Sequence, residues 1–170
     1  VAIVRHDCGY VTGAARREAR SARNGDYIVM READGTYAAD ASPRVLNVLA
    51  TEEADVVMGD RVAIGGSMSA VHRAGNARLS LGATVLYGRR VRDLCTGLWG
   101  FSKDAHGRLP LRSVGIELEP ELFALSTRLG MRIRPTPVDY LQRTAASHPT
   151  RSGGTRIRWC PVRTRGVPLP

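Results

Sequence analysis

Long hydrophobic runs and paired cysteines are both missing from this chain of 170 residues. No stretch approaches the roughly 20 apolar residues of a membrane-spanning helix. We expect no secretory leader either, because the apolar residues 1–4 are followed at once by Arg5. The cysteines Cys8, Cys95 and Cys160 are odd in number and far apart, so they indicate neither a disulfide framework nor a zinc site. These absences favour a reduced, cytoplasmic protein.

Aromatic residues and lysine are also scarce. Only 5% of the residues are aromatic, which leaves few platforms for stacking bases, and no nucleic-acid-binding motif is present. The chain has 25 basic residues and a net charge of +9, yet Lys103 is its only lysine. Arginine suits bidentate contact with phosphate or carboxylate, which favours an anionic ligand or membrane face. A coding bias toward arginine explains the same composition equally well.

Short apolar strands alternate with amphipathic helices in the first half of the chain. Strands are expected at 1–4, 26–30 and 54–58, with a helix at 13–23 between the first two. A second helix is expected after Ser42, with Pro43 at its first position. This alternation predicts an α/β fold with a mostly parallel sheet.

The second half begins with a Gly/Ser-rich loop at 59–70 and a long helix at 71–88. A strand is expected at 98–101, then a helix that Pro120 opens and Gly130 closes. Residues 131–140 alternate as a half-buried strand does, and their prolines confine that strand to a sheet edge. We therefore expect one domain at 1–143 and an irregular tail rich in Arg, Pro and Gly at 144–170.

The segment that carries the most chemistry is the acidic loop 31–37. Glu32 and Asp34 follow the strand at 26–30, at the carboxyl end where open α/β sheets bind ligands. Two carboxylates one residue apart can hold a hard cation such as Mg²⁺ or Mn²⁺, and Gly35 permits a sharp turn beside it. By spacing alone, a solvated Asp-Gly turn accounts for the same residues.

Four segments in order resemble those of family 2 (GT-A type) glycosyltransferases, in particular the dolichol- and polyprenyl-phosphate sugar synthases. They are GDYIVM leading into ADGTY at 25–37, ADVVMGDR at 54–61, VRDLCTGLWGF at 91–101, and GIELEPEL at 115–122 followed by a basic strand. The resemblance covers residues 1 to about 143. It implies a partial Rossmann-like GT-A nucleotide-diphospho-sugar transferase fold, with a mixed, mostly parallel sheet flanked by helices.

The resemblance also implies roles for particular residues. Asp34, with Glu32, would hold Mg²⁺ or Mn²⁺ and through it the diphosphate of a GDP- or UDP-linked sugar. Arg61 would meet a phosphate of the donor or of the acceptor, although a solvated surface charge is the plain alternative. Asp93 would lie at the centre of the site, unless it is an ordinary loop aspartate. Glu117 is a further catalytic candidate, and negative charge before a helix explains it equally well.

Such a protein would transfer a sugar, with inversion, to a polyprenyl phosphate at the inner face of the membrane, in cell-envelope biosynthesis. A phosphate acceptor is largely dianionic at neutral pH and needs no general base. A hydroxyl acceptor would need one, and Asp93 is the candidate.

Three departures from the family pattern point to an alternative. Glu32 stands where the family has Asp and follows the unusual Arg31, the family's first strands would lie before Val1, and residues 144–170 lack its "GxSKL" segment. The competing hypothesis is a non-catalytic remnant that binds anions weakly. A nucleic-acid-binding module is a third, disfavoured possibility.

Overall fold

A four-stranded sheet forms the centre of the protein in a computed structural model of the chain. The structure describes residues 25–32, 34–51, 54–64, 68–113 and 117–141. The strand expected at 1–4, the helix expected at 13–23 and the tail expected at 144–170 lie outside these ranges.

Strands and helices alternate along the described part of the chain. The strands are β1 (Tyr27–Arg31), β2 (Val56–Asp60), β3 (Leu98–Ser102) and β4 (Ile133–Pro137). The helices are α1 (Ala41–Thr51), α2 (Ala70–Tyr87), α3 (Lys103–Arg108) and α4 (Leu118–Arg128).

The strand order is β1-β3-β2-β4, and β3 runs antiparallel to both of its neighbours. Strands β2 and β4 are parallel, so β1, β2 and β4 all point one way and β3 opposes them. The predicted α/β class with a mixed sheet is confirmed. The sheet was also expected to be mostly parallel, and this part is wrong for the described strands, because β3 makes two of the three pairings antiparallel. Among the described strands β4, which contains Pro135 and Pro137, lies at the edge as predicted.

Two hydrophobic cores cover the two faces of the sheet. Because side chains alternate along a strand, Trp99 and Phe101 face one core, which α4 and α3 complete, whereas Leu98 faces the other. That second core contains the buried Val45 and Leu49 of α1. Helices therefore flank both faces of the sheet.

The helix boundaries differ from the predicted ones by small shifts. Helix α1 begins at Ala41 and α4 at Leu118, so that Pro43 and Pro120 stand inside the first turn, where proline costs no hydrogen bond. Gly130 has a φ of 67° just after α4, which confirms it as the residue that closes the helix. The short helix α3 was not predicted; the Ser102 side chain accepts a hydrogen bond from Ala105 N at its start.

Candidate active site

Four of the predicted site residues lie at one edge of the sheet: Glu32, Asp34, Arg61 and Asp93. This edge holds the ends of β1 and β2 together with the start of β3, because Arg31 pairs with Leu98. Glu32 continues the pairing, since its backbone N–H donates to Gly97 O at 3.2 Å. The segment 93–97 before β3 therefore lies beside the acidic loop that follows β1.

The Glu32 side chain packs directly on Gly97. A Cβ placed on Gly97 would lie 2.6 Å from both Cδ and Oε2 of Glu32. The absence of a side chain at Gly97 thus leaves the space that the half-buried Glu32 carboxylate fills. This contact between residues distant in sequence fixes the position of the Glu32 carboxylate relative to the sheet.

Asp34 is oriented by its own loop. Its Oδ1 accepts hydrogen bonds from Thr36 N at 3.1 Å and Thr36 Oγ1 at 2.6 Å. Gly35 has a φ of 77°, which allows the chain to turn between these residues. These two hydrogen bonds hold Oδ1 of Asp34 in a fixed orientation within the loop.

Arg61 and Asp93 form a buried bidentate ion pair. Arg61 Nε donates to Asp93 Oδ2 at 2.8 Å, Nη2 donates to Oδ1 at 2.7 Å, and the Arg61 backbone N–H adds a bond of 2.9 Å to Oδ2. The exposed fractions of the two side chains are 9% and 0%. Burial lowers the pKa of Arg61, but the hydrogen bonds and charge of Asp93 outweigh it and raise that pKa above its ordinary value. Arg61 is therefore a buried, fixed cation and not a solvated surface charge.

Helix α2 holds this pair in place. Asn76 Nδ2 donates to Asp93 Oδ1 at 3.0 Å, and Asn76 Oδ1 accepts from Cys95 N at 3.0 Å. Arg61 Nη2 also donates to Cys95 O at 2.6 Å. Asp93 consequently accepts four hydrogen bonds, two on each oxygen. The geometry favours Asp93 as an anchor for Arg61, and both oxygens of the Asp93 carboxylate are occupied by hydrogen bonds from Arg61 and Asn76.

Asn76 belongs to a row of polar residues spaced four apart on the inner side of α2. Ser80 Oγ accepts from Leu94 N at 3.0 Å, and Thr84 Oγ1 accepts from Val91 N at 3.1 Å. We call these three helix residues the polar stripe: Asn76, Ser80 and Thr84. The polar stripe ties α2 to the whole segment 91–95.

Two tyrosines connect the acidic loop with the ion pair. Tyr37 Oη accepts from Gly97 N at 2.7 Å and lies 3.3 Å from Thr96 Oγ1. The Tyr37 ring meets the Tyr140 ring edge-on at 5.6 Å, and Arg61 Cζ lies 4.9 Å from the centre of the Tyr140 ring. Burial raises the pKa of Tyr37 to about 12, against the opposing effect of the Arg61 charge. Tyr37 is therefore a neutral hydroxyl at physiological pH.

Glu117 lies at the start of α4, without a side-chain capping bond to that helix. Glu119 lies in the first turn of α4. Burial raises the pKa of the Cys95 thiol, the Arg61 charge lowers it, and the charges of Asp93 and Glu119 add smaller increases. The role of Glu117 stays a prediction.

The acidic loop carries the two residues that were predicted to hold a metal. Within the described ranges, no group of three or more His, Cys, Asp or Glu side chains could hold a metal ion. Glu32 and Asp34 nevertheless supply the hard oxygen donors that Mg²⁺ and Mn²⁺ take, and Mg²⁺ commonly binds through one or two carboxylates plus substrate phosphates and water. The donor set therefore fits such an ion when the phosphates of a ligand complete it.

A cavity of about 130 Å³ lies behind the ion pair. Its apolar wall includes Met58, Phe123 and Ile133, and Asp93 lies at one side. Arg90 and Arg92, both exposed, also line it. An apolar space with arginines at its mouth suits an amphiphilic anion.

Sequence reasoning missed several residues that shape this edge. Asp60 is buried at the end of β2, and its Oδ1 accepts from Val62 N and Ala63 N at 3.0 Å, which fixes the turn that carries Arg61. Tyr37 and Tyr140 were part of matched segments but had no assigned role. Asn76 had a detectable signal, because three polar residues at spacings of four mark one side of a helix.

A mixed sheet between helices, with an acidic loop after β1 and a buried arginine after β2, is the arrangement that the resemblance to GT-A-type glycosyltransferases implied. The family profile described as Glycosyl transferase family 2 matches residues 1–109. The chain belongs to glycosyl transferase family 2, and it is thereby classed as an enzyme.

Named relatives agree with this assignment. The low-salt glycan biosynthesis hexosyltransferase Agl6 of Haloferax volcanii is 34% identical over 120 residues, covering 68% of this chain and 29% of that protein. A dolichyl-phosphate hexose transferase of the same organism is 29% identical over 133 residues, covering 77% of this chain and 57% of that protein. The chain thus spans well under two thirds of either relative.

Solved structures support the fold. Glucosyl-3-phosphoglycerate synthase from Mycobacterium tuberculosis, in complex with Mn²⁺, UDP-glucose and phosphoglyceric acid, has a TM-score of 0.60 and 19% identity over 80% of this chain and 49% of that one. The same enzyme with Mg²⁺ and UDP has a TM-score of 0.51 and 19% identity, over 79% and 47% of the two chains. At these identities the likeness concerns the fold alone.

Proposed function

We propose that this protein transfers a sugar from a nucleotide-linked donor to a polyprenyl phosphate acceptor, with inversion and with the help of a divalent metal. We infer the phosphate acceptor from Asp93, because each oxygen of its carboxylate already accepts two hydrogen bonds. A hydroxyl acceptor needs a general base, and Asp93, the candidate base, already accepts four hydrogen bonds from Arg61 and Asn76.

A phosphate monoester removes that need. Its second ionisation lies near pH ~6, so at neutral pH it attacks as a dianion without losing a proton to the protein. The site then has only to align and neutralise two phosphate groups. Such a site needs fixed charges and no proton acceptor. The Arg61–Asp93 pair meets this requirement, because Arg61 is also bonded to Cys95 and Asp93 to Asn76.

The donor half of the site is the acidic loop. Glu32 and Asp34 would hold Mg²⁺ or Mn²⁺, and the bound ion would offset the charge that develops on the leaving diphosphate. Asp34 is oriented by Thr36, and Glu32 is oriented by its contact with Gly97. Both carboxylates are therefore positioned by the protein before any ligand binds.

The acceptor half would lie on the side of Arg61. Most of the donors on Arg61 are committed to Asp93 and Cys95, so we assign Arg61 to shaping the site more than to binding phosphate. The exposed Arg90 at the apolar cavity would supply charge for an acceptor phosphate, together with Arg92, whose Nε lies 3.7 Å from Asp60 Oδ2. The relative named as a dolichyl-phosphate hexose transferase supports this assignment. We further propose that the protein acts at the inner face of a membrane, where such an acceptor would lie.

The first test is calorimetric titration of the purified chain with UDP and with GDP, each with and without Mn²⁺. We expect metal-dependent binding of one nucleotide, lost in Asp34→Ala and retained in Asp40→Ala. Asp40 is the matched control because it is an exposed carboxylate close by in sequence, paired with Arg44. UDP is the first choice, since structural neighbours hold UDP.

The second test is transfer of labelled sugar to a short polyprenyl phosphate or to the corresponding polyprenol. Transfer to the phosphate alone supports the proposal, whereas transfer to the free alcohol would overturn the argument from Asp93. Weak, metal-independent binding of either nucleotide to a folded chain would favour the non-catalytic remnant.

A further inference from the structure

Helix α2 has its polarity reversed relative to an ordinary surface helix. Its inner side carries the polar stripe, which is hydrogen-bonded to the segment 91–95, together with the buried Ala83 and with Tyr87, which packs against Phe123. Large apolar side chains point outward instead. A surface helix of a globular protein normally shows the opposite arrangement.

The outward residues form one continuous surface. At 100° per residue they fall within less than half of the helix circumference, opposite the polar stripe. We call them the outer face; its members, with their exposed fractions, are Val71 (80%), Leu79 (54%), Leu81 (65%), Val85 (77%) and Leu86 (75%). Large clustered apolar surfaces of this kind mark sites of protein or membrane contact.

The charges on α2 distinguish between these partners. The helix has no acidic residue, while it carries Arg73 and Arg78, and Arg90 follows it. Helical spacing places Arg78 among the apolar residues of the outer face. A dry protein partner would have to bury that charge at considerable cost. A second copy docked through the same face would oppose one arginine-bearing, acid-free surface with another.

A lipid headgroup layer accommodates both features. Apolar side chains enter the boundary between headgroups and acyl chains, while arginine reaches outward to lipid phosphates. No helix in the described part of the chain is long and apolar enough to cross a membrane. We propose that α2 lies on the surface of an anionic bilayer, with its outer face in the lipid and its polar stripe holding the Arg61–Asp93 pair.

This inference rests on the proposed function in one respect: an acceptor dissolved in a bilayer requires the enzyme to reach the bilayer surface. It adds the surface by which that contact is made. It also connects that contact to the site, because Asn76 on the inner side of the same helix bonds to Asp93.

The test is flotation of the purified full chain with vesicles of phosphatidylcholine, with or without phosphatidylglycerol, and with neither nucleotide nor polyprenyl phosphate present. The triple variant Leu81→Gln, Val85→Gln, Leu86→Gln removes apolar surface at exposed positions where the fold tolerates change. The matched control Leu46→Gln, Leu129→Gln makes the same kind of change at exposed leucines outside α2. Circular dichroism and thermal unfolding verify that each variant is folded.

We expect the chain and the matched control to float with anionic vesicles, and the triple variant to partition at least about tenfold more weakly. Arg78→Gln should reduce binding to anionic vesicles more than binding to neutral ones. Equal binding by the triple variant would overturn the proposal, since the contact would then come from another part of the chain. Failure of the unmodified chain to bind would do the same.

Self-association offers a further decisive outcome. If sedimentation reveals a dimer that the triple variant dissolves, and vesicles are not bound, the outer face is an interface between copies and the lipid proposal is wrong. Nucleotide titration is independent of these measurements, so loss of vesicle binding with intact metal-dependent UDP binding would refute only the lipid contact.

Discussion

Replacement of Gly97 by alanine tests whether the position of Glu32 matters for metal and nucleotide binding. The new Cβ would lie 2.6 Å from Cδ and Oε2 of Glu32, whereas non-bonded carbon atoms prefer about 3.5–4.0 Å. The carboxylate must therefore move by roughly 1 Å. Since Mg²⁺ demands near-ideal distances of about 2.0–2.1 Å to its oxygen ligands, a shift of this size removes Glu32 from the coordination shell or distorts it.

The fold itself should tolerate the change. The atoms that Cβ meets are the far end of a half-buried side chain, which can rotate away, and alanine also restricts the unfolded chain. We expect the free energy of unfolding to change by no more than about 1 kcal/mol. Metal-dependent nucleotide affinity should fall by about tenfold or more, which corresponds to ~1.4 kcal/mol.

Gly100, in the strand β3 that follows Gly97, provides the control. A Cβ there would lie 2.3 Å from Val45 Cγ1 and 3.0 Å from Leu49 Cδ1, which are packed core atoms with little freedom. Gly100→Ala should therefore destabilise the protein by about 1–3 kcal/mol, as overpacked cores do. It should leave nucleotide affinity unchanged at temperatures where the variant is folded.

Both variants would be measured by thermal unfolding and by calorimetric titration with UDP and Mn²⁺. The reasoning predicts opposite outcomes: Gly97→Ala stays stable and binds weakly, while Gly100→Ala is less stable and binds normally. Unchanged nucleotide affinity in Gly97→Ala would refute the assignment of Glu32 as a ligand. A large loss of stability in that variant would mean that Glu32 cannot move as the structure implies.

Three further changes test other parts of the site and the fold. Asn76→Leu leaves the Cys95 amide without its acceptor, so we expect a loss of about 1–3 kcal/mol in denaturant unfolding and faster maleimide labelling of the Cys95 thiol. Burial raises the pKa of Tyr37 from 10.0 to about 12. The stability that the neutral Tyr37 hydroxyl gives the folded protein is therefore complete below pH 10 and is lost as pH rises toward 12. Tyr37→Phe should reduce this alkaline loss of stability relative to the unmodified chain. The pKa of Asp55 is lowered mainly by hydrogen bonding from Arg132, so its contribution is present above pH 3.8 and is lost in more acidic solution; Asp55→Asn should cost less than about 1 kcal/mol at neutral pH, because the pair is partly exposed.

The acidic loop could be located from sequence because its determinants are local. An apolar strand ends at Arg31, two carboxylates follow within three residues, and Gly35 supplies the turn. What holds Glu32 in place could not be predicted. Its contact with Gly97 depends on β3 lying antiparallel between β1 and β2, and the strand–helix alternation of the first half favours parallel neighbours.

The burial of Arg61 was beyond sequence reasoning for a similar reason. Its position after β2 could be predicted, but the choice between a solvated and a buried guanidinium depends on Asp93 and Asn76, which two other elements supply. Helix α2 was predicted almost to the residue, yet its orientation was not. Helices normally turn their apolar side toward the protein, so Leu81 would be expected in the core. In the structure Leu81 is exposed and Ser80 is buried instead.

The polar stripe and the acidic loop divide the site into parts that should respond to different perturbations. Glu32 is positioned by its contacts with Gly97, and Asp34 is positioned by Thr36 in its own loop. Asp93 and Arg61 depend on Asn76, which moves with α2. Contact of α2 with a lipid surface would therefore act first on the acceptor half, and would reach the acidic loop through Gly97, which Tyr37 and Glu32 both contact. Distant, independent sites have additive effects whereas groups in one hydrogen-bond network do not, so Asn76→Leu should couple energetically more strongly to Asp93→Asn than to Asp34→Ala.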